Sequence, residues 1–175
     1  KNNYMYALLN YILKNTSIFL PHEKDFYGFQ KLFKNKKNGL FLDIGANFGQ
    51  SARSFFKLFK NWHVFSIEAD NNFFKDLDNI RKKFKNYNFI INAASNISNE
   101  EILIYTPMVN NILITGETSI NKNFLNTKKN LNNKIVKQKV KTIKIDELNL
   151  KPDIIKLDIE AAEHLAIEGM MDTIK

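Results

Sequence analysis

One segment constrains this chain more than any other. Gly39–Gly45 (GLFLDIG) is a short apolar run that closes on glycine. A near-continuous apolar run of this length reads as a strand buried on both faces, the mark of a parallel sheet. Ala52, Phe55, Phe56 and Phe59 follow at i, i+3, i+4 and i+7, the stripe of an amphipathic helix over Ser51–Lys60. The pattern then repeats. Trp62–Ala69 (WHVFSIEA) reads as a strand, Phe73, Leu77, Ile80 and Phe84 as a helix, and Asn88–Ser95 (NFIINAAS) as a third strand. Strand–helix–strand–helix–strand implies right-handed crossovers and a mainly parallel sheet.

The flanking regions differ. Tyr4, Leu8, Tyr11 and Ile12, then Phe26, Phe29, Leu32 and Phe33, form two apolar stripes, so residues 1–38 are expected to be an N-terminal helical segment. Residues 39–175 are expected to form the main domain. Within it, 101–145 reads as a β-rich insertion with strands near Glu101–Pro107, Ile112–Ile120 and Ile135–Ile145. Lys137, Lys139 and Lys141 alternate with apolar residues, as in a strand with one exposed side. Asp153–Glu160 (DIIKLDIE) is again a buried strand, and Ile167, Met170, Met171 and Ile174 mark a last helix. The fourth core strand is expected at a sheet edge, where self-association into a homo-oligomer would cover it. A first residue of Lys1 rather than Met points to a processed chain or a fragment.

Composition narrows the function. At 175 residues, 44% hydrophobic and 25% charged, the chain suits one globular domain rather than a disordered protein. With no cysteine there is no disulfide framework and no thiol nucleophile. His22, His63 and His164 fit no metal-ligand spacing, so no metal is expected, although Asp158, Glu160 and Glu163 leave a divalent ion as an alternative that nothing requires. The net charge of +8 favours anionic partners in general. Yet only Arg53 and Arg81 among 26 basic residues are arginine, whereas phosphate and base recognition leans on arginine forks. Nucleic acid is therefore not the expected partner. No apolar run approaches the ~20 residues of a spanning helix, and the expected location is cytoplasmic.

Chemistry concentrates where strands meet helices. Asp43-Ile44-Gly45-Ala46-Asn47-Phe48-Gly49-Gln50 turns tightly into a helix whose N-terminus offers N–H groups and a positive dipole end, which suits a nucleotide-like or carboxylate-bearing ligand. Glu68 ends the next strand 25 residues past Asp43, where a carboxylate can accept ribose hydroxyls. Asn92-Ala93-Ala94 ends the third strand; small residues there leave room for a flat base, although plain packing explains them equally. The dinucleotide pattern G-x-G-x-x-G fails, because Asn47 replaces its second glycine and Gly49 comes one residue early. The phosphate-loop pattern is absent. An acid two residues before the first glycine repels a pyrophosphate and suits a cationic ligand. S-adenosylmethionine, which leaves S-adenosylhomocysteine as product, fits best.

FLDIGANFG, FSIEAD, NAAS and DIIKLDIEAAE, in this order, resemble the FkbM family of S-adenosylmethionine-dependent methyltransferases over roughly residues 39–175. Gly116-Glu117-Thr118-Ser119 is similar to the family's loop before the last motif. The resemblance implies an α/β, three-layer Rossmann-like class I methyltransferase fold. It implies an acceptor that is a small molecule or carbohydrate, commonly a sugar hydroxyl linked to bacterial surface polysaccharide. Asp43, Gly45, Ala46, Asn47, Phe48 and Gly49 would then cradle the methionine part of the cofactor. Glu68 with Ala69 would hold the ribose, Asn92 and Ala93 would flank the adenine, and Asp158 would close the site. The family carries glycine where this chain has Ala161, and it continues through further strands. This chain therefore reads as a copy without the C-terminal strands.

Transfer to a hydroxyl needs a base beside the attacking oxygen. Glu160, Glu163 and His164 are the candidates. On a helix starting near Ala161, Glu160 and His164 would stand four apart on one face. His164 as a surface residue, and the two acids as helix N-terminal charges, are the competing readings. Thr118 and Ser119 could touch an acceptor or serve as turn hydroxyls. Two alternatives stay open: an RNA methyltransferase, against which stands Asp158-Ile159-Glu160-Ala161 in place of the Asn/Asp-Pro-Pro-aromatic run, and a non-catalytic S-adenosylmethionine-binding fragment.

Overall fold

A computed structural model describes residues 25–109, 112–113, 118–120 and 134–175. The stripe at Tyr4–Leu13 and the residues Gly116 and Glu117 lie outside them. In chain order the described elements are α1 (Asp25–Leu32), β1 (Leu40–Ile44), α2 (Gln50–Leu58), β2 (His63–Glu68), α3 (Phe74–Lys83), β3 (Tyr87–Ile91), β4 (Ala93–Ala94), β5 (Glu101–Val109), β6 (Ile112–Leu113), β7 (Lys134–Ile143), β8 (Ile154–Leu157) and α4 (Glu163–Glu168).

Four strands form a wholly parallel sheet in the order β3-β2-β1-β8. The fold is thus α/β, with β1 at its centre and β8 at an edge of the described sheet. Strand alternation sends successive side chains to opposite faces. Phe41 joins one core with Phe26, Phe55, Phe56, Phe59 and Trp62 beneath α1 and α2. Leu42 and Ile44 join the other with Ile67, Ile145, Ala166 and Met170. The first core is largely aromatic: Phe55 stacks on Phe41 and on Phe59 with ring centroids 4.4 Å apart. Asp43 points to the aromatic side and is fully buried there.

A second sheet, β4-β7-β5-β6, is built on the β5–β7 antiparallel ladder, which runs from Glu101↔Lys141 to Met108↔Lys134. Lys137, Lys139 and Lys141 face solvent while Val140 is buried, matching the alternation in the sequence.

Several boundaries differ from the sequence expectation. The strand expected to be buried over Asp153–Glu160 is only Ile154–Leu157, with Ile154 buried and the rest half-buried. Asn88–Ser95 is not one strand: β3 ends at Ile91, and Ala93–Ala94 crosses to pair with Thr142 and Ile143 of β7. The expected strand over Ile112–Ile120 appears as β6 and a single bridge at Ser119 to Tyr105. The last helix starts at Glu163 and ends at Glu168, leaving Met170 buried but Ile167, Met171 and Ile174 partly exposed.

Candidate functional site

Strands of a parallel sheet end together, and ligands gather at their carboxyl edge. Here the turn after β1 reaches left-handed backbone at three positions, Gly45 (φ 82°), Asn47 (φ 52°) and Gly49 (φ 80°). Glycine and asparagine are the residues that enter this region most easily. A Cβ at Gly45 would also collide with the carbonyl oxygen of Asp158 at the end of β8.

The N–H groups of this turn already have partners. Gly45 and Ala46 donate to the Ile67 carbonyl at 2.9 and 3.2 Å, and Gly49 donates to Ala46 at 2.8 Å. Asn47 N–H donates to Glu68 Oε2 at 2.6 Å, and Asp70 N–H to Glu68 Oε1 at 2.8 Å. The turn is therefore not an open cradle for a phosphate, contrary to the general expectation for a glycine-rich strand–helix turn. Glu68 clasps the turn to the end of β2. Burial pushes its carboxyl up to about 7, against the downward pull of backbone N–H groups of Asp70, Asn47 and Ala69.

Asp43 takes no part in the cavity wall. It lies behind the turn, 3.5 Å from both Lys156 Nζ and Ser66 Oγ. Lys156 also lies 3.4 Å from Asp158 Oδ2 and 3.4 Å from the Gly45 carbonyl oxygen. This lysine of β8 thus ties β1, the glycine turn and the end of its own strand together. The acid expected to face a cationic ligand is instead balanced from within.

The cavity opens above these strand ends. Of the residues expected to hold a cofactor, Gly45, Asn47, Glu68, Ala69, Asn92, Ala93 and Asp158 line it; Asp43, Ala46, Phe48 and Gly49 lie behind or beside it. Of the catalytic candidates, only Glu160 lines it. Glu163 is half-buried beside the cavity and His164 is exposed to solvent. The expected helical pairing of Glu160 with His164 does not form. Helix α4 begins at Glu163, and Glu160 (φ 47°) and Ala161 (φ 70°) instead make a left-handed turn before it. Among the described residues no group of three or more acids or histidines is gathered to hold a metal ion.

The sequence reading missed several walls. Ile44, Ile67 and Ile104 supply apolar surface, and Ile104 comes from the second sheet. Gln50 lines the cavity with its amide oxygen buried and without a hydrogen-bond partner among the described residues. Its place at the first residue of α2, directly after the glycine turn, was the signal available. Thr118 and Ser119 do reach the cavity; Thr118 Oγ1 lies 2.9 Å from Thr106 Oγ1, and Ser119 Oγ donates to the Glu160 carbonyl at 2.9 Å.

The electrostatic character follows from this census. Three acidic side chains, Glu68, Asp158 and Glu160, line the cavity, and the nearest cation among the described residues is Lys156, 3.4 Å from Asp158 Oδ2 behind the wall. The site suits a ligand carrying positive charge and hydroxyl donors, and disfavours a pyrophosphate.

The chain matches the model of the methyltransferase FkbM domain over residues 43–175. No curated protein matches it. Among solved structures, it is similar to a Staphylococcus aureus protein provisionally described as a caffeoyl-CoA O-methyltransferase, at 16% identity over 51% of this chain and 44% of that one, with a TM-score of 0.37. It is similar to YjhP from E. coli at 15% identity over 47% of this chain and 37% of that one, with a TM-score of 0.34. The chain spans less than half the length of these neighbours.

Proposed function

The chain belongs to the FkbM methyltransferase domain family, and from that premise we propose that it moves the methyl group of S-adenosylmethionine to a hydroxyl of a sugar or other small molecule. The observation that carries the reading is the cavity at the carboxyl edge, lined by three acidic residues, Glu68, Asp158 and Glu160, of which Asp158 alone has a lysine, Lys156, beside it among the described residues. A sulfonium and an ammonium are stabilised there; the phosphates of NAD are not.

The residues present fit this cofactor. The Gln50 amide oxygen, without a partner among the described residues, is an acceptor in want of a donor, such as an ammonium or hydroxyl. The Glu68 carboxyl takes backbone N–H groups on both oxygens and, with about four acceptor positions, keeps capacity for a ribose hydroxyl. Ile67, Ala69 and Ala93 offer an apolar slot for a flat base. Asp158 is the carboxylate for the amino group. When bound, the cofactor supplies a methyl group already activated by its sulfonium. The protein then has to align the acceptor, exclude water and take one proton. Glu160, on the cavity wall, is the carboxylate that would take this proton from the acceptor hydroxyl. Glu163 and His164, off the wall, are assigned to shaping the helix start and its surface.

Calorimetric titration with S-adenosylmethionine, S-adenosylhomocysteine and NAD tests the reading. Saturable binding of the first two, no binding of NAD, and loss of binding in Glu68→Ala are expected. At 100 times the dissociation constant the ligand should add about 2.7 kcal/mol of stability. NAD binding in place of the methionine-derived pair would overturn the proposal.

A further inference from the structure

We infer that Ser119 is a positioning residue, a latch that holds the left-handed turn carrying Glu160 against the cavity. The use of that turn rests on the methyltransferase reading; the latch itself does not.

Glu160 and Ala161 occupy the left-handed region in succession, at φ 47° and 70°. Neither is glycine or asparagine, so the backbone gains nothing from residue type and is strained at both positions. Strain of this kind persists only where the surroundings over-determine it. The helix that follows is a single short element, Glu163–Glu168, and its N-cap Ala162 has no side chain able to cap it. The turn is therefore held from outside its own segment.

Ser119 supplies the hold. Its hydroxyl donates to the Glu160 carbonyl at 2.9 Å, across 41 residues of sequence. Ser119 is only 2% exposed, and its bond to Glu160 is part-buried at the cavity wall. Its backbone is fixed in both directions: Tyr105 N–H donates to Ser119 at 2.9 Å and Ser119 N–H donates to Tyr105 at 3.1 Å. Tyr105 sits within β5, paired opposite Lys137 of β7. The latch is thus anchored in the second sheet, while the turn it holds ends the edge strand of the first. Thr118, Ser119, Ile120 and Glu160 all line the cavity, so the hydroxyl fixes a residue on the wall it helps to build. Without it, the turn is free to relax toward ordinary backbone, and the Glu160 carboxyl loses its fixed place.

Residue-resolved amide hydrogen exchange on the full chain tests the latch without knowledge of the acceptor. The variants are Ser119→Ala, which deletes the hydroxyl, and Ser119→Thr, which keeps it on an extended backbone. Removing this hydrogen bond should speed exchange at residues 159–163 about tenfold in Ser119→Ala. Exchange in β1 and β2 should not change, and Ser119→Thr should stay within about threefold of wild type. Unchanged exchange at 159–163 in Ser119→Ala would overturn the inference, as would uniform acceleration through β1 and β2. A Ser119→Thr that behaves like the alanine variant would overturn it too, by showing that packing rather than the hydroxyl matters. Failure of wild type to bind S-adenosylhomocysteine would sink the cofactor reading and leave the exchange result to decide the latch.

Discussion

Two turns stand side by side at the carboxyl edge of the parallel sheet, one after β1 and one after β8, and they reach left-handed backbone by opposite means. The first uses Gly45, Asn47 and Gly49. Its conformation is written into the residues that adopt it, and the Glu68 clasp only tightens it. The second uses Glu160 and Ala161 and depends on a hydroxyl 41 residues away. The difference teaches where rigidity comes from in this site. One turn is stiff because its own residues permit little else. The other is stiff because a second sheet reaches across and holds it.

The two are also in contact, which makes Gly45→Ala the severest way to break the first turn. A methyl there must accept φ 82° and must also displace the Asp158 carbonyl, a backbone atom of the second turn's strand. Left-handed strain and a backbone clash together should cost about 3–5 kcal/mol. Urea unfolding should show this loss, and S-adenosylhomocysteine should no longer bind. A loss under about 1 kcal/mol would mean that the glycine turn is as dependent on outside support as its neighbour.

The clasp offers a gentler probe. Glu68 ionises near 4.5 in the unfolded chain and near 7 in the fold, because burial disfavours the charged carboxyl. Between these values the unfolded chain has released a proton that the folded chain still keeps. The unfolded state binds fewer protons, so stability falls as pH rises through that window and levels off above it. The fall attributable to Glu68 should be about 3 kcal/mol. Glu68→Gln should flatten it, measured as the difference between the two variants' stability profiles over pH 4–8. A parallel profile in both would remove the buried carboxyl as the cause. Cofactor binding should run the other way: ribose hydroxyls donate to the ionised carboxylate, so affinity should rise toward pH 7 and then hold.

How much of this was legible in the sequence follows the same division. The β1 run, the glycine turn and the α2 stripe are local patterns, and the structure places them where the residues imply. Glu68 was legible as a strand-end acid, but its bond to Asn47 N–H was not, since that needs the two strands side by side. Ala93-Ala94 reads as a continuation of β3 because small apolar residues suit either sheet; the choice of β7 as partner is tertiary. Lys156 sits in an apolar run and gives no hint that its ammonium lies between Asp43 and Asp158. The second turn was misread most. Acids before an apolar stripe look like a helix start, and propensity alone carries no sign of a left-handed Glu160.

The smallest expected effect tests the comparison most directly. Ala161→Gly puts into the second turn the residue that makes the first one self-sufficient. Glycine removes left-handed strain of about 1–2 kcal/mol. It also adds freedom to the unfolded chain, at a cost of roughly 0.4–1 kcal/mol. Ala161 is exposed, so little packing is lost with its methyl. The balance is a gain of about 0.5–1 kcal/mol, read as a higher urea midpoint at unchanged slope. Combined with Ser119→Ala, the same change should shrink the stability lost with the hydroxyl, since a turn at ease in its own backbone has less need of a latch. Strictly additive effects in that double-mutant cycle would separate the two features and leave the strain at Ala161 unconnected to Ser119.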